Sequence, residues 1–135
     1  MGEVTEARSR LGSARVGRLA TAGAGGRPHL VPFCFALDGD LIYSAVDWKP
    51  KSTQALKRLA NVRENPQVSV LADHYEEAWD QLWWVRVDGL AQVLPEGEEA
   101  DRARALLASK YPQYGARPPE GPVLRIEAVN WSSWP

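Results

Sequence analysis

Between Arg15 and Val46, three apolar runs are separated by two tight-turn signals, and this spacing restricts the chain more than any other feature. RVGRLATA (15–22) is followed by Gly23-Ala24-Gly25-Gly26, HLVPFCFAL (29–37) is followed by Asp38-Gly39-Asp40, and LIYSAV (41–46) completes the set. Turns this short join antiparallel neighbours, because a parallel pair needs a crossover of a dozen or more residues. The spacing predicts a hairpin and then a third strand antiparallel to the second. A doubly wound sheet, in which strand and helix alternate throughout, does not fit.

The rest of the chain adds strands with helices between only some of them. Val4, Ala7, Arg8 and Leu11 share one face of a helix over residues 3–13, and Ala55, Leu56, Leu59 and Ala60 have helical spacing within Ser52–Arg63, which Asn65-Pro66 closes. QVSVLAD (67–73) alternates as a strand. LWWVRVDGLAQVL (82–94) is a longer one, with a bulge or bend expected at Gly89. Pro95–Tyr111 reads as a third helix, residues 112–122 as a rigid Pro- and Gly-rich connection, and VLRIEAVNW (123–131) as the last strand. The expected fold is mainly β (α+β): six antiparallel strands closed into a small barrel with two to three flanking helices, one domain over residues 1–135.

Composition narrows the function classes. At 135 residues with 44% apolar and 24% charged side chains, an ordinary hydrophobic core is affordable without disulfides, and Cys34 is the only cysteine. A net charge of -1 argues against a nucleic-acid partner bound by bulk positive charge. The N-terminus lacks the apolar stretch of a secretory signal, and the longest apolar run, Leu30–Leu37, is interrupted by Pro32 and far too short to cross a bilayer. A soluble cytoplasmic protein is expected.

Candidate chemistry is sparse. His29, His74 and Cys34 lack the spacing of a metal site, and Cys34 within FCF is expected to be a small buried hydrophobe. AGAGG (22–26) leads into a strand and not a helix, so it is a turn and not a phosphate cradle. The basic stretch says more. Lys49, Lys51, Lys57, Arg58 and Arg63 occur with no acid between them, and Ser52 and Thr53 stand at the helix entry. Hydroxyls, free N–H groups and two ammonium groups would converge there on an anion such as a phosphate. The same residues suit a solvated basic helix face with Ser52 as an ordinary cap, and spacing alone does not separate the two. Six tryptophans are the other anomaly. Trp83 and Trp84, adjacent on a strand, must point to opposite faces.

The run from GRLATAGAGGRPH through ENPQVSVLADHY, with WWVRVDGLAQVL after it, resembles the pyridoxamine 5'-phosphate oxidase-like split β-barrel superfamily over nearly the whole chain. The resemblance implies a homodimer with two flavin-type cofactors held between subunits. Superfamily members that bind FMN carry an Arg and, five residues later, a Lys in the second strand; those positions are Val31 and Ala36 here. The glutamine that contacts the FMN ring corresponds to Trp84. The short length, L-A-T in the first strand, V-P in the second and K-P-K-S-T at the helix entry are similar to the branch that uses the deazaflavin coenzyme F420.

That branch implies an oxidoreductase moving a hydride between F420 and a small organic substrate. Lys49, Lys51, Ser52 and Thr53 would hold the phosphate and glutamyl tail. Pro32 and the backbone around Ser44 and Ala45 would lie along the ring, with Trp84, and Trp79 from the partner, walling the substrate side. No side chain stands out as a catalytic acid or base. FMN on the same fold is the first alternative. A module that binds a cofactor, heme or tetrapyrrole without turnover is the second, with His29 or His74 as axial ligand.

Overall fold

The computed structural model of the chain describes residues 2–46 and 53–135. Helix α1 (Gly2–Ser13) precedes a hairpin of β1 (Gly17–Ala22) and β2 (Pro28–Phe33), then a second hairpin of β3 (Ala36–Asp38) and β4 (Leu41–Ala45). Helix α2 (Thr53–Glu64) leads to β5 (Gln67–His74), and a single 3₁₀ turn at Trp79–Gln81 leads to β6 (Trp83–Leu94). Helices α3 (Glu98–Lys110) and α4 (Pro112–Ala116) come before β7 (Val123–Trp134). The strands form one seven-stranded antiparallel sheet in the order β2-β1-β5-β6-β7-β4-β3.

The seventh strand corrects the expected six, and the reason is local. The run 29–37 breaks at Cys34-Phe35: its first half pairs with β1 and its second with β4, at opposite edges of the sheet. Two residues of chain cannot bridge the width of a flat seven-stranded sheet, so the sheet curls until its edges meet, giving the split barrel. The predicted pairing of the second and third strands therefore survives only for residues 36–38. At the break, Phe35 is buried and its main chain is held by side chains in place of a ladder. Its N–H donates to Tyr111 Oη (3.1 Å), and its carbonyl accepts from Lys110 Nζ (2.9 Å) and lies 3.1 Å from Tyr111 Oη. Cys34, expected to be buried, is exposed because the break turns it outward.

Two turns and a bulge follow the sequence reading. Gly39 takes φ +61° in the two-residue turn between β3 and β4, a conformation that favours glycine. At Gly89 the β6–β7 register shifts, and a Cβ would stand 2.5 Å from the Glu127 carbonyl oxygen. The AGAGG turn closes with Gly26 N–H donating to the Gly23 carbonyl (3.0 Å). The connection after α3 is in part helical, as α4, and the last strand runs three residues past Trp131.

Alternation places the core. Leu19 on β1, Val68, Val70 and Ala72 on β5, and Val85 and Val87 on β6 point inward, with Ala7 and Leu11 of α1 and Leu59 and Val62 of α2 packed over them. Strand β4 is buried on both faces. Ile42 joins this core, while Tyr43 and Ala45 join a second cluster with Ala103, Leu107 and Tyr111 beneath α3. Each buried Val, Leu or Ile among these contributes about 1.5–3 kcal/mol by leaving water. Among the described residues no helix is long and apolar enough to cross a membrane.

Candidate functional site

The residues that point away from the core on β1, β5 and β6 form an outer face whose grid is fixed by register. One row runs Pro32–Arg18–Leu71–Arg86–Ser132 across five strands. On one side of it lies Asp73–Trp84–Trp134, and on the other Leu30–Ala20–Ser69–Asp88–Asn130. Above this grid is a cavity of about 720 Å³, bounded at its end by His74, Tyr75, Leu82 and Trp83. A shallower depression of about 500 Å³ continues past Ala20 and Ser69 toward Ala22, Pro28, Leu90 and Val129.

Apolar groups dominate the face. Leu30 is 67% exposed, Val129 66%, Trp134 48% and Leu90 46%, an exposure that single surface aliphatics show but a contiguous set does not without a partner. Polar groups between them are mostly tied. Ser69 Oγ donates to Asp88 Oδ1 (2.8 Å), Arg86 Nε pairs with the same oxygen (3.3 Å), and Arg86 also donates to Ser132 Oγ (3.4 Å). His74 Nε2 pairs with Glu76, and its ring stacks on Trp83 at 6.2 Å between centroids. Arg10 lies over the same indole at 5.6 Å.

Of the residues singled out from sequence, Trp84 is brought into the cavity. Trp83 and Trp84 do diverge: Trp83 packs against the edge of the core and reaches only the cavity's end. Pro32 is exposed on the outer face of β2, opposite Arg18. Trp79 is exposed on the 3₁₀ turn, where its Nε1 donates to Tyr75 Oη (3.3 Å). Ser44 and Ala45 are buried in β4, away from the cavity lining. Lys49, Lys51 and Ser52, like Trp48, lie outside the described residues, and Thr53 is the first residue of α2. Among the described residues no group of His, Cys, Asp and Glu is placed to hold a metal ion.

Arg18, Leu71 and Arg86 were not singled out from sequence. The period-two pattern of RLATA and VRVDG puts Arg18 and Arg86 on outward faces, but only the pairing of β1 and β6 to the two sides of β5 brings them together.

A family model described as pyridoxamine 5'-phosphate oxidase matches residues 4–135. The chain belongs to that family. Its fold is shared with solved structures: conserved hypothetical protein Rv2991 of Mycobacterium tuberculosis is 28% identical, with a TM-score of 0.76 over 99% of this chain and 84% of that one. An FAD-binding protein of Mesorhizobium loti is 26% identical, with a TM-score of 0.69 over 96% of this chain and 91% of that one. HutZ, the heme storage protein of Vibrio cholerae, has a TM-score of 0.72 at 17% identity, over 98% of this chain and 92% of that one. No curated protein matches the sequence.

Proposed function

We propose that this member of the family is an F420-dependent oxidoreductase that works as a homodimer, with the deazaflavin ring against the Trp84 cavity and a small organic substrate beside it. The observation that carries the reading is a wide apolar cavity walled by Trp84 and Trp134 on a family barrel, sized for a flat ring system. The positions at which FMN-binding relatives would carry phosphate-binding cations argue against FMN. Val31 packs against the main core and Ala36 is buried in the second cluster, so neither position offers a charge to a ligand. The basic run at the entry to α2, including Lys49, Lys51, Ser52 and Thr53, supplies cations and hydroxyls for a phosphate and an acidic tail. When bound, the deazaflavin would supply the hydride chemistry. The chain's own part is to receive the ring in this cavity, exclude water with Leu71 and Leu30, and wall the substrate side with Trp84. A second copy would cover Leu30, Leu90 and Val129 and narrow the open cavity, and the exposed Trp79 of one copy would reach the other's site.

Fluorescence titration with F420 and with FMN tests this. The expected result is preference for F420, with weaker and less salt-sensitive binding in Lys51→Ala. Tight FMN binding without F420 binding contradicts it. A heme-binding reading is kept because the imidazole of His74 lines the cavity, whereas His29 does not. A Soret band that disappears in His74→Ala would establish that reading instead.

A further inference from the structure

Arg18 and Arg86 stand in one row of the outer face, each directly opposite Leu71, so their backbones are two strand spacings apart, about 10 Å. Both line the main cavity. Arg86 is held in place by Asp88 and Ser132. Asp88 is itself shared, since its carboxylate also accepts from Ser69 (2.8 Å) and Asn130 (3.5 Å). A guanidinium carries five N–H donors, so Arg86 keeps donors free for a ligand. Arg18, by contrast, has no hydrogen-bond or ion-pair partner among the described residues. The other acid on this face, Asp73, forms no ion pair with either arginine. Two long cationic side chains therefore flank an apolar floor at Leu71, and in the next row Trp84 and Trp134 are register partners on β6 and β7 that line the same cavity.

We infer that Arg18 and Arg86 form an anion subsite over Leu71, and that the molecule taken into the Trp84–Trp134 cavity beside the cofactor is a flat organic acid, its ring on the tryptophans and its carboxylate between the two guanidinium groups. The identity of the second molecule rests on the reading of the cavity as a ring-binding site. The subsite itself does not. A carboxylate accepts paired N–H donors from guanidinium in a fixed planar geometry, and such charge-assisted bonds are about twice as strong as neutral ones. An uncharged ligand would leave Arg18 desolvated with nothing to bind.

The test is isothermal titration of the purified chain, without cofactor, with 2-naphthoate and with the uncharged 2-naphthamide. Wild type, Arg18→Gln, Arg86→Gln and the charge-preserving Arg18→Lys are compared, with sedimentation velocity on each. Wild type should prefer the carboxylate by roughly 10- to 100-fold. That preference should collapse in either Gln variant and persist in part in Arg18→Lys, with amide binding and sedimentation unchanged. Equal binding of the two probes, or binding of neither, overturns the inference. So does a Gln variant that dissociates the assembly while keeping its preference, because Arg18 would then be meeting a carboxylate of a second copy. Failure of both F420 and FMN to bind would defeat the functional reading while leaving this comparison intact.

Discussion

Leu19 and Arg18 are neighbours on β1, and Val70 and Leu71 on β5, yet each pair divides between two environments that are finished to different degrees. Leu19 and Val70 are fully enclosed. One residue along, Arg18 has no partner among the described residues and Leu71 is more than a third exposed. The inner face is satisfied within one chain; the outer face, beside Arg18, leaves apolar area that a folded monomer gains nothing by displaying. The contrast also holds for charge. Beneath α3, Glu99 Oε2 accepts from Tyr43 Oη (2.6 Å) and Arg125 Nε (2.7 Å), and these two donors hold its carboxyl below the usual range. That network is closed and structural. The Arg18–Arg86 row is open at Arg18 alone, since Arg86 is tied to Asp88 and Ser132, and that opening is what the proposed anion subsite uses.

Substitutions on the two faces should separate accordingly. The largest effect is expected for Leu19→Ala, a loss of about 2–5 kcal/mol in urea unfolding from removing enclosed methyl groups and leaving a cavity. Breaking the closed network with Glu99→Ala should cost about 0.5–1.5 kcal/mol, since the buried Tyr43 hydroxyl loses its acceptor while the part-exposed Arg125 can turn to water. Equal stability of the variant and the wild type would put that network in the same class as the outer row.

A subtler effect concerns the break between β2 and β3. Burial, helped by the neighbouring Arg15, lowers Lys110 from 10.5 to about 8. Between those two values the unfolded chain holds more protons than the folded one, so this site adds stability as pH rises from about 8 towards 10.5. Below pH 8 the side chain is charged in both states and the burial penalty is fully present. Lys110→Met should flatten that rise in thermal unfolding measured across the interval; an unchanged slope would place the amine in water. The smallest effect is on the outer face: Leu30→Ala should stay within about 0.5 kcal/mol of wild type for the monomer, because the side chain is already exposed. If the proposed dimer forms there, sedimentation at low concentration should show it weakened by the same substitution.

Much of the fold was legible in sequence because its signals are local. Turn glycines, the helical spacing before Asn65-Pro66 and the interruption at Gly89 each act within a few residues. The break at Cys34-Phe35 was not legible. FCF continues the apolar pattern of a strand, and what divides it is Tyr111 and Lys110, which reach Phe35 from the far end of α3. The candidate site was legible in halves. Trp84 followed from family resemblance and alternation, whereas the basic run read from charge at Lys49, Lys51 and Ser52 lies outside the described residues. The row that joins Arg18 to Arg86 depends on β5 lying between β1 and β6, a non-local pairing that no spacing in the sequence carries.

The claim that a flat cofactor ring occupies the outer cavity is tested most directly by the indole N–H resonances of the six tryptophans, followed by NMR during addition of F420 and assigned by single Trp→Phe variants. Trp84 and Trp134 should show the largest shifts, with the core-packed Trp131 nearly unmoved. Saturable binding that leaves Trp84 and Trp134 unperturbed would contradict the account.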